Sequence, residues 1–145
     1  MLSEDKMSHL NVPVEEFTTP NPITCGEDAS VDELASLMKA NGIRHLPVVR
    51  DSRVVGIVSD RDVRLIAGLD LEEKGQIRAS DIMVLDPVSV ESNMSLDEVA
   101  FIMSSKKIGS VIVNEEDLFL GIFTVTDALN ALIEIIRSKS DRSDD

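Results

Sequence analysis

Two segments carry residue types that suit ligand binding. Gly56-Ile57-Val58-Ser59-Asp60-Arg61-Asp62 and Gly121-Ile122-Phe123-Thr124-Val125-Thr126-Asp127 share a glycine, two apolar residues, then Ser/Thr-x-x-Asp. Each stands where an apolar strand gives way to a helix. A carboxylate there accepts hydrogen bonds from two neighbouring hydroxyls, as on a ribose. The Ser or Thr hydroxyl serves the sugar or a phosphate. The helix start offers unpaired N–H groups and the positive end of its dipole to an attached phosphate. The plain alternative is that both segments are N-terminal helix caps. One detail weighs against it: other helices of this chain use Glu at the capping-box position, whereas these two use the shorter Asp.

The elements that position these residues come in two copies. A shift of 65 positions aligns Asn21–Val63 with Asp86–Ala128 without a gap, with 11 identities in 43 positions. Unrelated segments would share roughly two or three, so the chain is a tandem repeat. In each copy a short strand follows a proline (Ile23–Cys25, Val88–Val90). A helix then opens on the capping boxes Ser30/Glu33 and Ser95/Glu98. Val31, Leu34, Ala35 and Met38 fall at helical spacing, as do Leu96, Val99, Ala100 and Met103. A hairpin follows, Leu46–Val49 with Val54–Val58 and Val111–Val113 with Phe119–Phe123. The second helix begins near Asp60 and near Val125. The later one carries an apolar stripe, Ala128, Leu129, Leu132, Ile133 and Ile136, which suits either core or a subunit surface.

The predicted fold is therefore mixed α/β (α+β), with β-α-β-β-α repeats packed about a pseudo-two-fold axis. The segments are an arm over 1–13, repeat one over 14–69, a linker over 70–79, repeat two over 80–137 and an acidic tail over 138–145. Each repeat is too small to stand alone, and the pair is expected to be one folding unit.

The formal charge of −13 argues against nucleic acid and against anionic membranes as partners. One cysteine, Cys25, rules out an intrachain disulfide, and two histidines with it do not make an ordinary structural zinc site. MLSEDKMSHL lacks the pattern of a secretory signal, and no apolar run reaches the ~18 residues that span a bilayer. A cytoplasmic protein is expected. Cys25 is expected to be buried and inert, Met38 and Met103 to be core, and Lys106 with Lys107 to cap a helix C-terminus. Asp60 and Asp62 are expected to be solvated first-turn acids, with Mg²⁺ as the alternative. No glycine-rich phosphate loop, metal cluster or nucleophile elbow points to an enzyme.

These residues resemble the cystathionine-β-synthase-type domain pair, the CBS pair or Bateman module. The resemblance rests on Pro22-Ile23-Thr24, Ile43-Arg44-His45-Leu46-Pro47-Val48-Val49, Gly56 through Asp62 and the lead-in Asp81-Ile82-Met83. In the second copy it rests on Pro87-Val88-Ser89, Ile108 and Gly121 through Asp127. It covers roughly residues 14–137. It implies a non-catalytic regulatory module that binds an adenosine nucleotide (AMP, ADP, ATP) or a related adenosyl ligand in a cleft between the copies. It also implies disc-like homodimers and a regulated partner protein. Carried over, Ser59, Asp62, Thr124 and Asp127 hold the ribose and its neighbours, and Arg61 meets a phosphate. Thr24 and Ser89 grip the base, while His45 and Pro47 face the cleft. Copy two replaces Arg61 by Thr126, His45 by Ser110 and Pro47 by Ile112, so unequal sites are expected. An adaptor without a physiological small ligand stays open as the alternative.

Overall fold

The computed structural model describes residues 11–70, 72 and 75–143. Residues 1–10 of the arm, three linker positions and the last two tail residues therefore lie outside the described residues. The chain divides into two compact units.

The first-repeat unit is Pro22–Pro87. Its sheet runs β2 (Cys25–Gly26), β3 (His45–Arg50), β4 (Arg53–Ser59) and β5 (Val84–Leu85) in that spatial order. β2 lies parallel to β3, and the other pairs are antiparallel. Helices α1 (Val31–Asn41), α2 (Asp60–Ala67) and the short α3 (Ala79–Ile82) complete it. Leu34, Leu46, Val48, Val58 and Val63 are at most 2% exposed in its core. Each such burial stabilises by about 1.5–3 kcal/mol.

The second-repeat unit joins the described residues up to Asn21 with those from Val88 onward. Its sheet is ordered β1 (Thr19–Pro20), β8 (Leu118–Thr124), β7 (Ser110–Glu115) and β6 (Ser89–Glu91). A 3-10 turn at Val14–Phe17, α4 (Leu96–Lys106) and α5 (Val125–Ser143) pack with it. Val14, Val99, Val111, Val113 and Phe123 are fully buried at its centre.

The units are not the sequence segments. The lead-in before each repeat packs with the other repeat's strands: β1 pairs with β8, and β5 pairs with β4. The 65-residue correspondence extends into these lead-ins. Val14 N–H donates to the Met94 carbonyl, and Ala79 N–H donates to the Ala29 carbonyl, at the same register. Asn21 and Asp86, also 65 apart, both take positive φ.

Local chemistry accounts for the rest. Both hairpins close on two residues with positive φ, Asp51-Ser52 and Glu116-Asp117, the type I′ geometry that follows strand twist. The second pair of strands is longer than expected, because Asn114 and Glu115 continue the ladder. Ser30 accepts from the Glu33 N–H, as a cap should, but Ser95 makes no side-chain cap bond. α1 ends on Gly42 and α4 on Lys107, both left-handed. α5 continues to Ser143 where a polar tail was expected. Its stripe divides between two environments. Ala128 packs on the core beside Ala131 and Ile135, which the expected stripe lacked, while Leu129, Leu132, Ile133 and Ile136 are 44–55% exposed. No described helix is long and apolar enough to cross a membrane.

Candidate functional site

The two strand-to-helix junctions share one frame. The Asp60 N–H donates to the Arg44 carbonyl at 2.7 Å, and the Val125 N–H donates to the Gly109 carbonyl at 3.1 Å. His45 stands opposite Ser59 across the β3/β4 ladder, as Ser110 stands opposite Thr124. In both, the hydroxyl caps the helix by accepting the N–H three residues on, Asp62 to Ser59 and Asp127 to Thr124, each at 3.3 Å.

The carboxylates diverge. Asp127 completes a reciprocal capping box, taking the Thr124 N–H at 2.9 Å and the Thr124 hydroxyl at 3.1 Å. It also accepts the Thr19 hydroxyl at 3.2 and 3.4 Å. The shorter Asp is thus no obstacle to a capping box, and for Asp127 the cap reading of the sequence holds. Position 84, the counterpart of Thr19, is Val and offers no hydroxyl. Among the described residues, no hydrogen bond reaches the Asp62 carboxylate.

The side chains around the frames differ more. In the first-repeat unit an open pocket of 440 Å³ is lined by Arg44, His45, Ser59, Asp60, Arg61, Arg64 and Leu65. Three arginines line it in a chain whose net charge is −13. Their counterparts in the other unit are Gly109, Thr126 and Leu129. Arg64 is paired with Asp60 at 2.9 Å, one turn apart on α2. Burial holds the His45 imidazole below its ordinary value; Arg44 presses the same way, and Asp60 opposes them. The second-repeat unit has a pocket of 550 Å³ with different chemistry: Glu16, Asp127 and Glu134 face Arg137, beside Phe17, Thr18, Asn130 and Ile133.

The structure therefore brings His45, Ser59 and Arg61 together. Asp62 is half-buried on the adjoining flank of α2, outside that lining. Pro47 is buried in β3, and Thr24 is half-buried just before β2. Ser89 is exposed on β6, paired in register with Ile112, and Thr124 is held in its cap. Neither Thr24 nor Ser89 lines the two pockets. Arg44 and Arg64 were not among the expected binding residues. The signal for Arg64 was its four-residue spacing from Asp60. Cys25 is buried, and burial with the charge of Glu33 pushes its thiol up to about 11. Among the described residues, no group of acids, His and Cys is placed to hold a metal ion.

Comparison with known proteins agrees with this frame. The CBS domain profile matches twice, over residues 14–67 and 79–134. Inosine-5'-monophosphate dehydrogenase of Korarchaeum cryptofilum is 34% identical over 114 residues, 78% of this chain and 23% of that enzyme. The AcuB protein of Vibrio cholerae superposes with a TM-score of 0.80 at 28% identity, covering 91% of this chain and 98% of its own. CBSX2, solved in complex with AMP, gives a TM-score of 0.74 at 27% identity, with 85% and 97% covered. The repeat, the mixed α+β units and the two profile matches together assign the chain to the CBS domain family.

Proposed function

We propose that the chain is a regulatory module that binds an adenosine nucleotide over the first-repeat unit and catalyses no reaction of its own. One observation carries this reading: Arg44, Arg61 and Arg64 line one pocket with Ser59 and Asp60 at the start of α2, and Asp62 is on the adjoining flank of that helix. Guanidinium groups pair with phosphate oxygens in a planar fork. The start of α2 adds the positive end of its dipole. The uncommitted Asp62 has the acceptor capacity a ribose diol needs. The AMP complex of CBSX2 supports the ligand class. Such nucleotides are intracellular, so the same reading places the protein in the cytoplasm, passing ligand occupancy to a partner protein. The committed Asp127 favours a structural or partner-facing role for the second-repeat unit.

Self-association belongs to this proposal. Leu129, Leu132, Ile133 and Ile136 form an i, i+3, i+4, i+7 stripe exposed on α5, the pattern of a helix face that needs a partner. A second copy supplies the same stripe, so a homodimer covers both.

Thermal unfolding with AMP, ADP and ATP tests the ligand. A ligand bound only by the folded state stabilises it, by about 2.7 kcal/mol at one hundred times its Kd. A rise in Tm is expected that Arg61→Ala cuts to about half or less. No shift with any adenosine compound at millimolar concentration leaves the adaptor reading in its place.

A further inference from the structure

We infer that the first-repeat pocket selects a nucleotide bearing two or more phosphates over a monophosphate, and that Asp60 sets this selectivity through its ion pair with Arg64. The inference rests on the adenosine-nucleotide reading and narrows it.

At 100° per residue, α2 presents its residues in a fixed order around the axis. Val63 and Ile66 define the side packed on the core. Asp62 lies at one border of that side. Arg61 stands near the centre of the outward face, and Arg64 lies further round, above Asp60. A nucleoside anchored at Asp62 therefore brings its first phosphate to Arg61 and to Arg44 across the pocket. Arg64 is beyond the first phosphate and within reach of a second or third.

Arg64 is not idle. Its guanidinium sits 2.9 Å from the Asp60 carboxylate, on a side chain that is 78% exposed. Asp60 is 26% exposed, but with the arginine out in solvent the pair is screened and weak, so a phosphate oxygen can replace the carboxylate. Asp60 also repels any phosphate that enters the pocket without engaging Arg64. The monophosphate meets that repulsion and gains nothing from Arg64. The longer chain offsets the repulsion by taking Arg64 over.

Calorimetric titration of the full chain decides this with five probes: adenosine, AMP, ADP, ATP and inorganic pyrophosphate. ADP and ATP are expected to bind at least tenfold more tightly than AMP. In Arg64→Gln the ratio of ADP to AMP affinity falls below threefold. In Asp60→Asn, AMP gains at least fivefold, because the repulsion it meets is removed. Circular dichroism melts of both variants show whether they fold; Arg64 is on the outward face of α2 and Asp60 is half-buried at its border. AMP binding within twofold of ADP and ATP overturns the inference and leaves the adenosine reading standing. So does an equal loss for every probe in Arg64→Gln. Pyrophosphate binding as tightly as ADP keeps the selectivity and removes adenosine from the site. Silence from all five overturns both.

Discussion

The two units share a frame and differ in what stands on it. The strand register, the capped helix and the backbone bond from position 60 or 125 to position 44 or 109 are the same. Yet among the described residues the carboxylate of one unit has no hydrogen-bond partner, and the carboxylate of the other holds three donors. One pocket gathers arginines, and the other gathers acids. A duplicated fold can thus keep its packing residues in register while its junctions separate into a binding site and a structural clasp. The buried positions are constrained by close packing on every side; outward positions such as 61 and 126 are not.

The largest expected contrast lies in the two repeated glycines, because each meets a different part of a lead-in. A Cβ on Gly121 would collide with the backbone carbonyl of Thr19, which cannot move without parting β1 from β8. A Cβ on Gly56 would meet the side chain of Met83, which is flexible and can swing aside. Gly121→Ala is expected to cost about 3 kcal/mol and Gly56→Ala about 1 kcal/mol, within the range of overpacked cores. Urea unfolding of both variants reads the difference. Equal costs would mean that the lead-ins are held alike, contrary to these contacts.

Much of this frame was legible in the sequence, and what was not has a physical cause. The repeat, the hairpins and the helix starts at Ser30, Asp60 and Val125 rest on local patterns, and the structure has them. The exchange of lead-ins was hidden, because positions 13–21 and 78–86 share backbone conformation and almost no residue types. The Thr19–Asp127 bond spans 108 positions, a separation at which no spacing rule applies. The split of the α5 stripe depended on which side of the helix the sheet covers. For the site, Ser59 follows from the junction motif, and His45 and Arg61 from the family resemblance, whereas Arg44 and Arg64 join them in the pocket lining only once the chain folds.

The next contrast concerns the ligand. Arg61→Ala removes a charged donor from the first-repeat pocket, and Thr126→Ala makes the corresponding change where Gly109 and Leu129 replace Arg44 and Arg64. A hydrogen bond to a charged group contributes about 1.5–3 kcal/mol, so Arg61→Ala should weaken ADP binding about 10- to 100-fold. Thr126→Ala should leave it within about twofold. Titration of both variants is the check, and comparable losses would show that the units bind alike.

A pH contrast follows from His45 and Ser110, of which only the former titrates. His45 is held below its ordinary value by burial and by Arg44. The unfolded chain therefore takes up its proton at a higher pH than the folded chain. The sign is that stability from this group is full above about pH 6.5 and is lost as pH falls from there through the folded value. Phosphate beside His45 favours the protonated ring, so a bound nucleotide raises its affinity for the proton, and nucleotide binding strengthens as pH falls across the same window. Melting curves between pH 7.5 and 5.5, with and without ADP, should show both trends in the wild type. His45→Gln should lose most of each; if it keeps them, the titrating group lies elsewhere.

The smallest contrast separates the ends of the first helix in each repeat. α1 ends on Gly42 at φ 61°, and α4 ends on Lys107 at φ 56°. A residue with a Cβ is strained in the left-handed region, and glycine is not. Both positions make the same closing bonds, the Gly42 N–H to the Lys39 and Met38 carbonyls and the Lys107 N–H to the Ser104 and Met103 carbonyls. Lys107→Gly should therefore stabilise the chain by about 0.5–1 kcal/mol, and Gly42→Ala should destabilise it by a similar amount. The lysine also places a cation at the negative end of the α4 dipole, which is worth about 0.3–1 kcal/mol at low salt. Repeating the denaturation in high salt screens that term, so the gain from Lys107→Gly should grow with ionic strength. A gain that shrinks instead would show that the lysine charge, and not the backbone, decides this cap.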